Sequence, residues 1–169
     1  RSPVKTFTEK GWLETTNGPC LRESNYAPAP NHPLNPAQQE AVEAVLDSQT
    51  NQTQFKAFLL EGITGSGKTE VYLGMIESMV KQGKQVLVLV PEIGLTPQMV
   101  SRFEAYLQTR VAALHSGLND SERHCAWHLI RTGQIQVLLG TRSAIFTPFK
   151  NLGLCIMDEE HDLSYKQQE

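Results

Sequence analysis

The sequence predicts an α/β domain, a mostly parallel sheet flanked by helices, with a short N-terminal extension and linker ahead of it. Three observations predict it. From residue 55 onward, short apolar runs rich in β-branched residues alternate with stretches of helical periodicity. A glycine-rich loop, Gly62-Ile63-Thr64-Gly65-Ser66-Gly67-Lys68-Thr69, lies between one such run and one such stretch. A late apolar run, Leu154-Cys155-Ile156-Met157, delivers an acidic cluster, Asp158-Glu159-Glu160-His161.

Residues 1–16 carry one clear feature, Gly11-Trp12-Leu13-Glu14. Residues 17–33 hold Pro19, Pro28, Pro30 and Pro33 with little apolar content, the composition of a linker that is extended in places. The compact part begins at Leu34. Asn35 can cap a helix with Pro36 at its first position, and Val42, Val45 and Leu46 form its buried stripe. Phe55, Ala57, Phe58, Leu59 and Leu60 read as a buried strand. Over residues 69–82, Val71, Leu73, Met75, Ile76, Met79 and Val80 fall on helical spacing, and Gly83 is the stop. Residues 85–90 read as a strand ended by Pro91. Thr96-Pro97 opens a helix to about Leu107, and residues 111–114 are the next strand. Asn119 or Asp120 opens a helix to about Arg131, ended near Gly133. Residues 135–139 and 152–157 complete the strands. Ligands of such sheets gather at the carboxyl ends of the strands, which is where the glycine loop falls. No internal repeat is present.

At 169 residues the chain holds one ordinary domain and an appendage. Hydrophobic content of 40% and charged content of 20% exclude a disordered chain. The net charge of −3 excludes a global basic field, so any nucleic-acid contact must come from a local groove. No apolar run is long enough for a membrane span, and the expected location is the cytoplasm. The chain begins at Arg1, which reads as a piece of a longer protein. Cys20, Cys125 and Cys155 are too scattered for a metal knuckle; Cys125 and Cys155 read as buried free thiols. His124 and His128 can share a helix face but lack the further ligands a zinc site needs.

The glycine loop matches G-x-x-x-x-G-K-[ST] at every required position. Its glycines let successive backbone N–H groups turn inward as an anion nest, and Gly62, Thr64, Gly65, Ser66 and Gly67 are the nucleotide-binding positions. The following helix presents its positive dipole end to the phosphates. Lys68 reaches the β/γ oxygens of ATP, and the Thr69 hydroxyl is a ligand for Mg²⁺. Asp158 is the second Mg²⁺ residue. Glu159 is the general base for the attacking water, and His161 is placed to sense the γ-phosphate. The alternative for the acidic cluster is an ordinary loop after a strand. The Asn-Lys-x-Asp motif of GTPases and the Leu-Ser-Gly-Gly signature of ABC transporter ATPases are absent.

The order of these motifs resembles the DExH helicases of superfamily 2. More closely, several blocks resemble the PriA family of primosomal replication-restart helicases (primosomal protein N′). They are residues 63–73, Val88-Leu89-Val90-Pro91-Glu92-Ile93-Gly94-Leu95-Thr96-Pro97-Gln98, His115-Ser116-Gly117-Leu118, residues 140–149, and Asp158-Glu159-Glu160-His161-Asp162 followed by residues 164–169. The resemblance implies a RecA-like P-loop NTPase lobe over residues 34–169, ending inside the loop after the Asp-Glu-Glu-His motif. It implies that residues 1–16 end a winged-helix domain and that 17–33 are a linker. It implies a 3′→5′ DNA helicase that acts at stalled forks, with single-stranded and forked DNA, primosome proteins and single-strand-binding proteins as partners. Gln38 takes the place of the family's adenine reader; the alternative is a solvated helix residue. Thr96 and Gln98, then Thr141, Arg142 and Ser143, take the places of DNA contacts, with a helix cap or structural loop as the alternative. Tyr165 and Lys166 open the family's aromatic-rich loop, one to stack on a base and one to meet a phosphate. Zinc is expected only in the family's C-terminal part. Without a second lobe and its arginine finger, the chain alone is expected to bind nucleotide and hydrolyse it poorly. Two rivals stay open: a P-loop ATPase lobe that does not touch DNA, and a DNA- or partner-binding module with a silent nucleotide site.

Overall fold

A computed structural model of the chain describes residues 27, 33–50, 55–63 and 65–166. The readings for residues 1–16, most of the linker and Thr64 lie outside the described residues. Helix α1 spans Pro36–Thr50, opened by a reciprocal cap. The Gln38 amide donates to Asn35 Oδ1 at 2.9 Å, and the Asn35 amide donates to Gln38 Oε1 at 2.9 Å. Helix α2 (Lys68–Lys81) follows the glycine loop. Strand β1 (Gln85–Leu89) leads to a 3₁₀ turn (Glu92–Gly94) and helix α3 (Pro97–Leu107), capped by the Thr96 hydroxyl. Strand β2 (Val111–Leu114) precedes helix α4 (Asp120–Thr132), which has a full capping box between Asn119 and Glu122. Strand β3 (Val137–Gly140), a 3₁₀ turn (Arg142–Phe146), strand β4 (Leu152–Met157) and a last 3₁₀ turn (Leu163–Tyr165) complete the order.

The four strands form one parallel sheet in the order β2-β3-β1-β4. β1 is buried along its whole length, as a central parallel strand covered on both faces must be. Val86 and Val88 face α2 and α3, where Leu73, Ile76, Met79 and Phe103 pack. Leu87 and Leu89 face α4, against Ala126, Leu129 and Ile130. Val42 and Val45 of α1 pack on Val71 and Met75 of α2. This is the α/β lobe with a parallel sheet that the alternating pattern predicts.

Two expectations need correction. Residues 55–60 form no strand: Phe55 is 94% exposed and Leu59 81% exposed, and only Leu60 tucks partly against the core. The Lys56 ammonium lies 5.0 Å from the Phe58 ring centroid instead. An apolar run bounded by loops satisfies the strand pattern, but the pattern cannot say whether a sheet edge accepts it. Among the described residues no strand pairs with the outer side of β4, where Leu152 and Met157 are exposed. The cysteines also differ from expectation. Cys125 is buried in α4 and disulfide-bonded, and Cys155 is a free but exposed thiol on β4.

Candidate functional site

Every loop singled out by sequence leaves the carboxyl edge of the sheet or the start of α2. Backbone pairing continues past the strand ends and anchors the first residues of the loops there. The Asp158 amide donates to the Leu89 carbonyl at 2.9 Å, and the Thr141 amide donates to the Leu114 carbonyl at 3.1 Å. Asp158 is thereby held beside the end of β1, and Thr141 beside the end of β2.

In the glycine loop, Gly65 and Gly67 have φ of +79° and +85°, which L side chains rarely adopt. A Cβ on Gly67 would stand 2.3 Å from Gln38 Nε2. That nitrogen donates to the carbonyls of Ser66 and Gly67 at 3.3 and 3.5 Å. The Lys68 ammonium rests on the carbonyls of Gly62 and Ile63 at 2.6 and 3.2 Å. These contacts are the kind a phosphate oxygen replaces, since an ammonium gains more from an anion than from a neutral carbonyl. Thr69 is half-buried in the first turn of α2.

At the end of β4, Asp158 Oδ1 accepts from the Tyr72 hydroxyl at 3.1 Å and from the Glu159 amide at 3.1 Å. The Tyr165 hydroxyl donates to the Asp158 carbonyl at 2.9 Å. Burial pushes both phenols well above their ordinary range, and the Asp158 charge pushes the same way, so both hydroxyls stay protonated donors. Glu159 sits at φ 48°, a left-handed conformation that costs a side-chain-bearing residue about 1 kcal/mol. The exposed His161 imidazole lies 3.3 Å from the Glu159 carboxylate. The Asp162 carboxyl is held below its usual range by the Ser164 amide, which donates to it at 2.7 Å.

The structure brings Gln38 to the glycine loop, Tyr165 to Asp158, and His161 to Glu159. Among the described residues it makes no hydrogen bond between Thr69 and Asp158, nor between the Thr96–Gln98 turn and Arg142 or Ser143. Thr96, Gln98, Arg142, Ser143 and Lys166 are exposed, while Thr141 and Tyr165 are half-buried. The Thr96 hydroxyl accepts from the Met99 amide at 3.2 Å, so its cap role and an outward role share one oxygen. A carboxylate and a hydroxyl are the hard oxygen donors Mg²⁺ takes beside water and phosphate oxygens, so Asp158 and Thr69 fit the ion.

Sequence reasoning missed three contacts that shape the site. Tyr72 with Asp158 is one; the spacing of four from Lys68, one helical turn on the same face, is the signal that finds Tyr72. Glu70 pairs with Arg102 of α3, and Glu92 accepts from Ser116, joining loops that leave different strands. No local signal marks the last two pairs.

A parallel sheet, a phosphate-type glycine loop and an acidic turn at one edge define a P-loop nucleoside-triphosphatase lobe. The family profile described as DEAD/DEAH box helicase matches residues 35–169, and the chain belongs to that family, whose members in general use ATP with Mg²⁺. The chain is 43% identical over 170 residues to the replication restart protein PriA of Bacillus subtilis, an alignment covering 98% of this chain and 21% of that protein. It is 46% identical over 171 residues to PriA of Synechocystis, covering 98% of this chain and 20% of that one. Against PriA of Haemophilus influenzae the identity is 58% over 115 residues, 68% of this chain and 16% of that one. The chain thus spans about a fifth of the length of these curated relatives. No helix among the described residues is long and apolar enough to cross a membrane.

Proposed function

We propose that this chain is the first RecA-like, ATP-binding lobe of a bacterial cytoplasmic helicase that moves 3′→5′ on DNA, remodels stalled forks and promotes primosome assembly. The observation that carries the reading is the meeting of the glycine loop's helix and the acidic turn through the Tyr72–Asp158 hydrogen bond at one sheet edge. The names of the similar replication restart proteins support the biological setting.

In this reading Lys68 leaves the loop carbonyls for the β/γ-phosphates, and the backbone N–H groups of residues 65–69 cradle them. Thr69 and Asp158 would hold Mg²⁺, which would neutralise charge on the phosphates. Glu159 takes the proton of the attacking water, and His161, against Glu159, answers to the γ-phosphate. Gln38, already bridging α1 and the glycine loop, reads the adenine edge. Thr96, Gln98, Thr141, Arg142, Ser143 and Lys166 offer donors to DNA phosphates, and Tyr165 a ring to a base. Residues 1–16 would close a winged-helix domain and 17–33 link it to residues 34–169. Zinc, single-strand-binding protein and primosome contacts belong to the rest of the protein or its partners.

The test is ATP hydrolysis by the full-length protein with and without single-stranded DNA. Single-stranded DNA should stimulate hydrolysis. Lys68→Ala should lower it at least about a hundredfold, the scale of one lost charge-stabilising donor. Arg142→Ala should raise several-fold the DNA concentration for half-stimulation. Hydrolysis indifferent to DNA overturns the helicase reading, and a fully active Lys68→Ala overturns the nucleotide site.

A further inference from the structure

Tyr72 is 8% exposed, stands on the helix that begins at Lys68, and reaches across to the carboxylate at the end of β4. Its ring packs in the core with Ile76, Val88 and Ile156, so the hydroxyl is delivered from a fixed platform. Among the described residues both donors to the carboxylate, the Tyr72 hydroxyl and the Glu159 amide, fall on Oδ1. That leaves Oδ2 as the oxygen for a cation. We propose that Tyr72 is a positioning residue for the Asp158 carboxylate: its hydroxyl fixes the carboxylate's rotation so that one oxygen is committed to the protein and the other is held for the divalent ion of the bound nucleotide.

The inference rests on the nucleotide-site reading above and adds an outer-shell partner to it. A ligating carboxylate with a fixed rotation loses less freedom when the ion arrives, and partners of this kind tune metal affinity. The arrangement also ties two jobs to one helix. The first residue of α2, Lys68, addresses the phosphates, and Tyr72, one turn later, addresses the metal residue. A shift of α2 therefore moves both together. Tyr72 touches neither substrate nor reacting atoms, so its action is through Asp158 alone.

The experiment compares full-length wild type, Tyr72→Phe and Asp158→Asn. Mn²⁺ binding in the presence of a fixed, non-hydrolysable ATP analogue is followed by electron paramagnetic resonance. Thermal unfolding of the metal-free protein is recorded for each. Tyr72→Phe keeps the buried ring and removes only the donor. It should raise the Mn²⁺ concentration for half-saturation about tenfold, the lower end of outer-shell losses. The metal-free unfolding midpoint should stay at the wild-type value. In hydrolysis the kcat should recover at high Mg²⁺, and the KM for ATP measured there should match wild type. An Mn²⁺ curve within twofold of wild type overturns the inference. So does a weakened curve that comes with a lowered metal-free midpoint, which marks a structural role. If wild type itself binds no Mn²⁺ with the nucleotide, or Asp158→Asn binds it as well as wild type does, the underlying site reading fails instead.

Discussion

At the amino end of the sheet, the Gln85 carboxamide is 2% exposed and uses every hydrogen-bonding position it has. Its nitrogen donates to the carbonyls of Ile130 and Ile135 at 2.7 and 2.9 Å, and its oxygen accepts from the amides of Lys150 and Asn151 at 2.8 and 2.9 Å. One side chain thereby joins β1 to the end of α4 and to the turn before β4. At the carboxyl end, the groups are held by contacts that a ligand can exchange. Lys68 rests on loop carbonyls, Glu159 bears a left-handed φ, and Thr96, Gln98, Arg142 and Ser143 face solvent. The two ends are built from the same four strands, so the difference teaches where rigidity is placed. One end locks the register, and the other keeps polar groups in reach without satisfying them fully.

The strongest way to sharpen this contrast is Gln85→Leu, which keeps a side chain of similar size and removes four hydrogen bonds, two of them buried. It should cost about 3–5 kcal/mol in urea unfolding while leaving nucleotide affinity of the folded fraction unchanged. Affinity falling together with stability would break the contrast. A matched pair of glycines comes next. Gly67 and Gly133 both have positive φ, +85° and +78°. Alanine at either should cost about 1–2 kcal/mol by denaturation. Only Gly67→Ala should also lose nucleotide binding, by more than about tenfold, because its Cβ meets Gln38 inside the phosphate loop. At Gly133 the nearest atom belongs to the Lys150 side chain at 3.3 Å, outside the glycine loop, so nothing at the nucleotide site is displaced. Equal nucleotide affinity in the two variants would sink the distinction. The smallest effect has the opposite sign. Glu159→Asn, a residue that tolerates the left-handed region, should raise stability by about 0.5 kcal/mol and abolish hydrolysis, as read by paired unfolding and turnover measurements.

Legibility in the sequence divides by range in the same way. The caps at Asn35, Thr96 and Asn119, the Gly133 stop and the glycine loop all stand where local chemistry puts them, because each rule spans a few residues. The strands β1, β2 and β4 agree with the apolar runs, and β3 sits two residues later at its start. Gln85 reads as one more residue of a β-branched run, since its four partners lie 45 to 66 residues away. The Tyr72–Asp158 bond spans 86 residues, so the spacing from Lys68 places Tyr72 on the right helix face but cannot name its partner. Residues 55–60 fail for the converse reason: their pattern is local, and their placement depends on an edge it cannot see.

The strand order β2-β3-β1-β4 bears on how the chain is made. Both neighbours of β1 are encoded after it. The central, fully buried strand is made before its neighbours and finds its hydrogen-bond partners only when β3 and then β4 have emerged. Until then Gln85–Leu89 is an unpaired, sticky segment on a nascent chain, and non-local parallel pairing of this kind is slow. Translation speed and chaperone capture during that interval therefore bear on the yield of folded protein.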